Sequence, residues 1–237
     1  MPALLMLFAL FLAGCSSREP LPVVNYAQDI TPFIAQAKSL PSLPQSRQKS
    51  FNKQYFSPWN IPSFSYSLQE VTWAWRVYRA QKGYLGEDKQ RRSPEWFNAL
   101  YYEANFGEFK RIDQKAITLV NSALRNFPTH KPIFKDFALA GEGYPFDYVQ
   151  NSRIALMQPL RISHYSHDGA WALVQSAFSA GWIPRSDIVI LDEPLIQALQ
   201  NAPKIIITSD KTPLYTHVDE FASYAKTGTL LPLHVTN

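Results

Sequence analysis

Cysteine is almost missing from this chain: Cys15 is the only one among 237 residues. A lone thiol excludes an internal disulfide, so any small module here must be held by packing alone. It also excludes a cysteine-rich metal site. Charge is sparse, 18% of residues, and the net charge of +4 is carried by scattered Lys and Arg. Arg47 and Lys49, Arg91 and Arg92, Lys110 and Arg111, and Lys131 and Lys135 are typical groupings. None forms the basic stripe that a nucleic-acid groove needs, so nucleic acid is not expected as a partner. Long apolar runs are missing too. The run from Ala3 to Ala13, at about 1.5 Å per residue, is too short to cross a hydrocarbon core of about 30 Å.

What that run fits is the h-region of a secretory signal. It ends in Leu12-Ala13-Gly14-Cys15, which resembles the bacterial lipobox. There the cysteine sulfur receives a diacylglycerol and cleavage makes the cysteine the new N-terminus. The n-region, Met1-Pro2, departs from the pattern in carrying no Lys or Arg. Ser16 follows, with no Asp to act as an inner-membrane retention signal. Residues 1–14 therefore read as a signal peptide and Cys15 as a lipidation site. The expected location is the periplasmic face of the outer membrane of a Gram-negative cell. The rest of the chain, in a sequence that is 46% hydrophobic, is long enough for one large or a few small folded domains.

Three textures follow along the chain. Residues 15–66 are rich in Ser, Pro and Gln, with a short helical candidate at Ala27–Ala37 interrupted by Pro32. The segment "LPSLPQS", 40–46, reads as a linker or extended wrap. Phe51, Tyr55, Phe56 and Trp59 then bring more aromatic surface than a tether can leave unpacked. Residues 67–112 are helical in pattern. Ser67-Leu68-Gln69-Glu70 matches a capping box, with Val71, Trp75 and Tyr78 behind it and Gly83 as a stop. Ser93-Pro94-Glu95 starts a second helix whose Trp96, Phe97, Leu100 and Tyr101 read as core.

From about Lys115 the texture is β. Short apolar runs recur at 116–120, 132–134, 153–157, 160–165, 170–175, 188–191 and 205–208. Asp168-Gly169 marks a hairpin between two of them. Runs this close, with no helices between them, predict a small barrel.

Here the residues carry a resemblance. "SALRNFPT" (122–129), "GEGYPFDYVQNS" (141–152), "PLRISHYSHDGAW" (159–171) and "SAGWIPRSDI" (179–188) resemble, in this order, the first SH3b module of NlpC/p60 cell-wall peptidases. "FNKQYFSPW" (51–59) is similar to the N-terminal stabilising segment of the same family. "TPLY" and "GTLLPL", within 205–233, look like the opening of a second SH3b module. The implied class is α+β. A helical and extended cap (15–66 and 67–112) precedes a small all-β SH3b-like barrel (113–192) and an incomplete second one (193–237).

Full-length members are γ-D-glutamyl-L-diamino-acid endopeptidases with a C-terminal Cys-His catalytic domain, whose thiolate attacks the stem-peptide carbonyl. In this chain the only cysteine is Cys15, and acylation of its sulfur would remove the nucleophile. The resemblance therefore implies a non-enzymatic chain. It would be either a lipoprotein that positions or recognises peptidoglycan stem peptides, or the N-terminal half of such an endopeptidase with its peptidase domain in cis or in trans. A scaffold or partner-docking outer-membrane lipoprotein is the alternative.

Other chemistry is weaker. His164-x-x-His167-Asp168 invites a zinc reading. On a strand, however, the two imidazoles face opposite sides, the turn claims Asp168, and the next histidine is His217. No metal or cofactor is expected. Nothing resembles a Gly-x-Ser-x-Gly nucleophile elbow. A binding role falls on Tyr144, Phe146 and Asp147, in a loop that Gly141 and Gly143 leave free to bend. In the family the first module lines the substrate groove and favours stems with a free N-terminal alanine. The resemblance thus makes Tyr144 and Asp147 candidates for an ammonium contact. In the competing reading "YPFD" only pins the loop, with Tyr144 and Phe146 as core. Trp59, Trp171 and Trp182 read as structural, the last two as barrel filling.

Overall fold

The computed structural model describes residues 31–38, 44–80 and 83–233. Cys15, the segment 1–14 read as a signal peptide and most of 40–46 lie outside the described residues. The chain divides into two compact units, Met1–Pro44 and Gln45–Asn237. In the first, helix α1 (Thr31–Lys38) takes up Pro32 in its first turn, where the missing amide costs nothing.

The second unit begins with a helix that takes in the last two residues, 45–46, of the stretch read as a linker or extended wrap. Helix α2 (Gln45–Tyr55) leads into the short α3 (Ser57–Asn60), which buries Pro58 and Trp59. The aromatics of this segment do find something to pack on. The Trp59 indole N–H donates to Ala116 O at 2.9 Å and the Tyr55 hydroxyl donates to Met157 O at 2.5 Å. Phe56 and Trp59 share a core with Ile117, Leu191 and Ile196.

The capping box forms as predicted: Ser67 Oγ accepts from the Glu70 amide and the Glu70 carboxylate accepts from the Ser67 amide. It opens α4 (Leu68–Val71), and α5 (Trp73–Ala80) follows after a break at Thr72. Ser93 caps α6 (Pro94–Glu103). Of its expected core stripe, Phe97 is buried, Trp96 and Leu100 are half-buried, and Tyr101 is exposed.

The β region is a seven-stranded sheet, antiparallel at every pairing, of order β3-β2-β6-β5-β4-β1-β7. Its strands are β1 (Gln114–Thr118), β2 (Ser122–Arg125), β3 (Gln150–Ile154), β4 (Pro159–Tyr165), β5 (Trp171–Gln175), β6 (Ala180–Pro184) and β7 (Ile188–Ile190). Gly169 makes the β4–β5 turn with φ +69°. The run at 132–134 is not a strand: Phe134 makes an isolated bridge with Leu85.

Alternation along β5 splits the packing. Ala172 and Val174 point to the inner core, with Leu124, Ile154, Leu160, Ile162 and Ile183. Trp171, Leu173 and Trp182 lie on the other face, in a core with Phe64, Trp75, Tyr78, Phe97 and Phe127. The two tryptophans are therefore structural but do not fill the barrel. Register places them: Leu173 lies opposite Trp182 on β6, so these side chains share the face that the helical region covers.

His164 is fully buried beside Trp182, at a ring distance of 5.3 Å, just past an irregularity that sets Ser163 out of register. Its Nε2 donates to Ala104 O at 2.8 Å and its Nδ1 accepts from Ser163 Oγ at 3.0 Å, which describes a neutral ring. Burial holds its pKa below the ordinary 6.5, against the opposing bond to Ala104 and the charge of Glu108. On acidification the unfolded chain takes up this proton first. The stability present above about pH 6.5 is therefore lost as pH falls toward the folded value. A Tm series from about pH 7 to 5 should slope downward, and His164→Gln should flatten it. An equal slope in the variant would contradict this account. His167, by contrast, lies at the surface and stacks on Tyr102 at 4.6 Å. Among the described residues no cluster of His, Cys, Asp and Glu could hold a metal ion.

Residues 193–233, in the region read as an incomplete second module, form regular elements. Helix α7 (Glu193–Asn201), capped by Asp192, buries Ile196 beside Trp59. β8 (Lys204–Ile206) pairs with β11 (Leu230–Pro232), and β9 (Thr212–Tyr215) with β10 (Phe221–Ala225). Two two-stranded sheets enclose little core, and Ile206, Tyr215, Val218, Phe221 and Tyr224 stay more than half exposed.

Candidate functional site

The candidate site is a groove of about 710 Å³ along β2 and β3, bounded by the 184–187 turn, the loop before β3 and the Lys226–Thr227 turn. Arg125, at the end of β2, is only 7% exposed and lies in its wall. Its guanidinium is tied down on every side. Nε donates to Thr129 O at 2.5 Å, Nη1 to Gln150 Oε1 at 3.3 Å, and Nη2 to Asp147 Oδ2 at 2.9 Å and the carbonyls of His130 and Lys131.

Asp147 is committed in the same way. Besides Arg125, its other oxygen accepts from the amides of Ile133 at 3.2 Å and Val149 at 2.8 Å. A carboxylate carrying an arginine and two backbone amides is a loop pin. An incoming ammonium group would have to displace those partners. Tyr144 and Phe146, however, are not core: they stand 81% and 54% exposed on the same loop. The "YPFD" motif thus divides. Its acid holds the loop and its rings face solvent.

Local backbone explains the division. Gly143 adopts φ +76°, and a Cβ there would meet the Phe137 ring at 2.8 Å, so only glycine fits. Below it, Lys135 Nζ donates to Glu142 Oε1 at 3.1 Å and the Tyr148 hydroxyl donates to Glu142 Oε2 at 2.7 Å. The Tyr148 hydroxyl and the Lys135 ammonium hold the Glu142 carboxyl below its ordinary range.

Two cations facing the groove have no ion-pair partner among the described residues: Arg153 on β3 and Lys226 on the far turn. Asp187, the acid opposite, is engaged by Ser122 Oγ at 2.5 Å and Ser186 Oγ at 3.1 Å. The groove therefore carries two cations without ion-pair partners opposite the Asp187 carboxylate, which the two hydroxyls hold in place, with the exposed Tyr144 ring on the neighbouring loop. Sequence reasoning missed Arg125, Arg153 and Lys226. Arg125 sits inside the quoted stretch "SALRNFPT", but one arginine among surface-like charges carries no signal of burial.

Three family models match in order along the chain. Residues 4–109 match the NLPC_P60 stabilising domain, N term; residues 132–184 match the SH3 domain (SH3b1 type); residues 192–236 match the SH3 domain of SH3b2 type. The first match takes in the helical region. A solved structure described as a novel NlpC/P60 endopeptidase from Photobacterium damselae subsp. piscicida shares the fold with a TM-score of 0.72 at 23% identity. The alignment covers 80% of this chain and 46% of that one, so this chain spans about half the length of its structural relative. No curated protein matches it.

Proposed function

From a chain that carries the stabilising domain and both SH3b-type domains of the NlpC/P60 family, we infer a region that positions or recognises peptidoglycan stem peptides. It does so without catalysing their cleavage. The observation that carries this reading is the groove between the SH3b1-type and SH3b2-type regions, where Arg153 and Lys226 have no ion-pair partner among the described residues. Stem peptides are rich in carboxylates, and two free cations on a fixed wall attract such a ligand. The exposed Tyr144 ring is available to a terminal ammonium by a cation–π contact, the role that Asp147 cannot take while Arg125 holds it.

The chain's own chemistry stops at binding. A thiol peptidase needs a cysteine nucleophile, and the only cysteine is Cys15, directly behind the apolar leader. We assign that sulfur to a lipid anchor, which would hold the region on the periplasmic face of the outer membrane. Cleavage belongs to a peptidase domain in cis or in trans. The exposed apolar residues of β8–β11 favour a second reading, a lipoprotein that docks a protein partner and has no wall ligand.

The test titrates a stem tetrapeptide with a free N-terminal alanine into the full chain in detergent micelles. Saturable binding is expected, weakened roughly tenfold when Arg153 and Lys226 are both changed to Ala. Tyr144→Ala should weaken a peptide with a free amine more than its N-acetylated form. No binding, together with pull-downs that return a protein and no wall fragments, would move the assignment to the docking reading. Metabolic labelling with a fatty acid that marks the wild type but not Cys15→Ser supports the anchor; equal labelling removes it.

A further inference from the structure

A separate cleft of about 450 Å³ opens between the helical region and the outer face of β5 and β6. It shares only Arg125 with the stem-peptide groove. Its helical wall offers aromatic surface: Tyr66 is half-buried, and Trp73 is 39% exposed although it packs edge-on against Tyr78 at 5.6 Å.

The sheet wall offers oriented amides. Asn126 Nδ2 donates to Tyr148 O at 3.1 Å, and Asn151 Nδ2 donates to Ala180 O at 2.9 Å. These bonds fix each amide plane and leave both Oδ1 atoms without a donor among the described residues. Trp182, fully buried, also lines the cleft, and its indole N–H has no hydrogen-bond partner among the described residues. Of the charged groups in the helical wall, Glu70 Oε2 accepts from the amide and hydroxyl of Ser67, both at 2.7 Å, and Arg76 Nη1 donates to Gln69 O at 2.8 Å.

We propose that this cleft binds an N-acetylated sugar. Aromatic rings beside fixed amide acceptors and an indole donor suit a ligand with apolar ring faces, hydroxyl donors and an acetamido group. The acetamido carbonyl would accept from Trp182, its N–H and the sugar hydroxyls would donate to Asn126 and Asn151, and its methyl would lie on Trp73. The inference rests on the wall-polymer reading above to this extent: the cleft would hold the glycan of the polymer whose stems the first groove holds.

The experiment titrates tetra-N-acetylchitotetraose into the full chain in detergent micelles and follows the indole N–H signals by NMR. Cellotetraose, which lacks the acetamido groups, is the control. The Trp73 and Trp182 signals should shift while that of Trp59, remote from the cleft, stays put. Affinity for cellotetraose should be about tenfold lower, the effect of one or two lost hydrogen bonds. Asn151→Ala, at an exposed position, and Trp73→Ala should each weaken binding severalfold. No shift with millimolar chitotetraose, or equal binding of cellotetraose, overturns the proposal. The stem tetrapeptide is titrated into the same sample. Peptide binding without sugar binding removes the sugar site alone, and sugar binding without peptide binding removes the stem-peptide reading alone.

Discussion

Trp182→Ala is expected to destabilise the protein by roughly 3–5 kcal/mol and lower its Tm by about 10–15 °C. The indole is fully buried where the helical region meets the sheet. It touches the rings of Phe106 and His164 at 6.1 and 5.3 Å. Its loss would open a cavity on both sides of an interface whose halves cannot close independently. Because the Trp182 N–H makes no hydrogen bond within the chain, the cost is a packing cost, and Trp182→Phe should recover more than half of it. Thermal unfolding of the three proteins decides the point. A Phe variant as unstable as the Ala variant would show that the indole nitrogen, not the packing, carries the effect.

The second large effect is expected at Arg125. Arg125→Ala would leave the half-buried Asp147 carboxylate without its counter-charge and would strip the carbonyls of Thr129, His130 and Lys131 of their donor. Leaving such groups unsatisfied costs about 1–3 kcal/mol. Arg125→Lys should rescue little, since an ammonium cannot serve acceptors spread around a planar fork. Asp147→Asn should cost less, because the amide oxygen can still accept from Ile133 and Val149. A double variant, Arg125→Met with Asp147→Asn, tests coupling. If it is no more stable than the sum of the single changes allows, the pair does not act as one unit. Stem-peptide affinity should fall in these variants, because the loop bearing Tyr144 loses its pin.

Some of this was legible from local pattern. The capping box at Ser67–Glu70, the cap at Ser93 and the Asp168-Gly169 turn depend on residues three or fewer apart, and all three form as read. Period-two runs located most of the strands. Helix α2 was missed because its polar run, "QSRQKSFNKQY", has no apolar stripe of its own; it is fastened by Tyr55 and by the segment that follows it. The run at 132–134 read as a strand because Ile133 and Phe134 are apolar, yet they serve as loop anchors over Tyr84 and Tyr148.

The sequence by itself determined the order of modules, the single thiol and the motif series that identifies the stabilising and SH3b-type domains. Those properties lie in residue identity and short spacing. Only the tertiary structure decided which way side chains point and which charges are spent. The sequence read Trp171 and Trp182 as barrel filling. Strand register and the helical region packed over one face decided otherwise, leaving the other face to Ala172 and Val174. Asp147 looked available for a ligand until Arg125, 22 residues away, was found holding it. Arg153 and Lys226 became a site only when the fold brought β3 and the second module's turn to one groove. Burial and pairing are set by contacts far apart in the chain, and a ligand site consists of the groups those contacts leave unpaired.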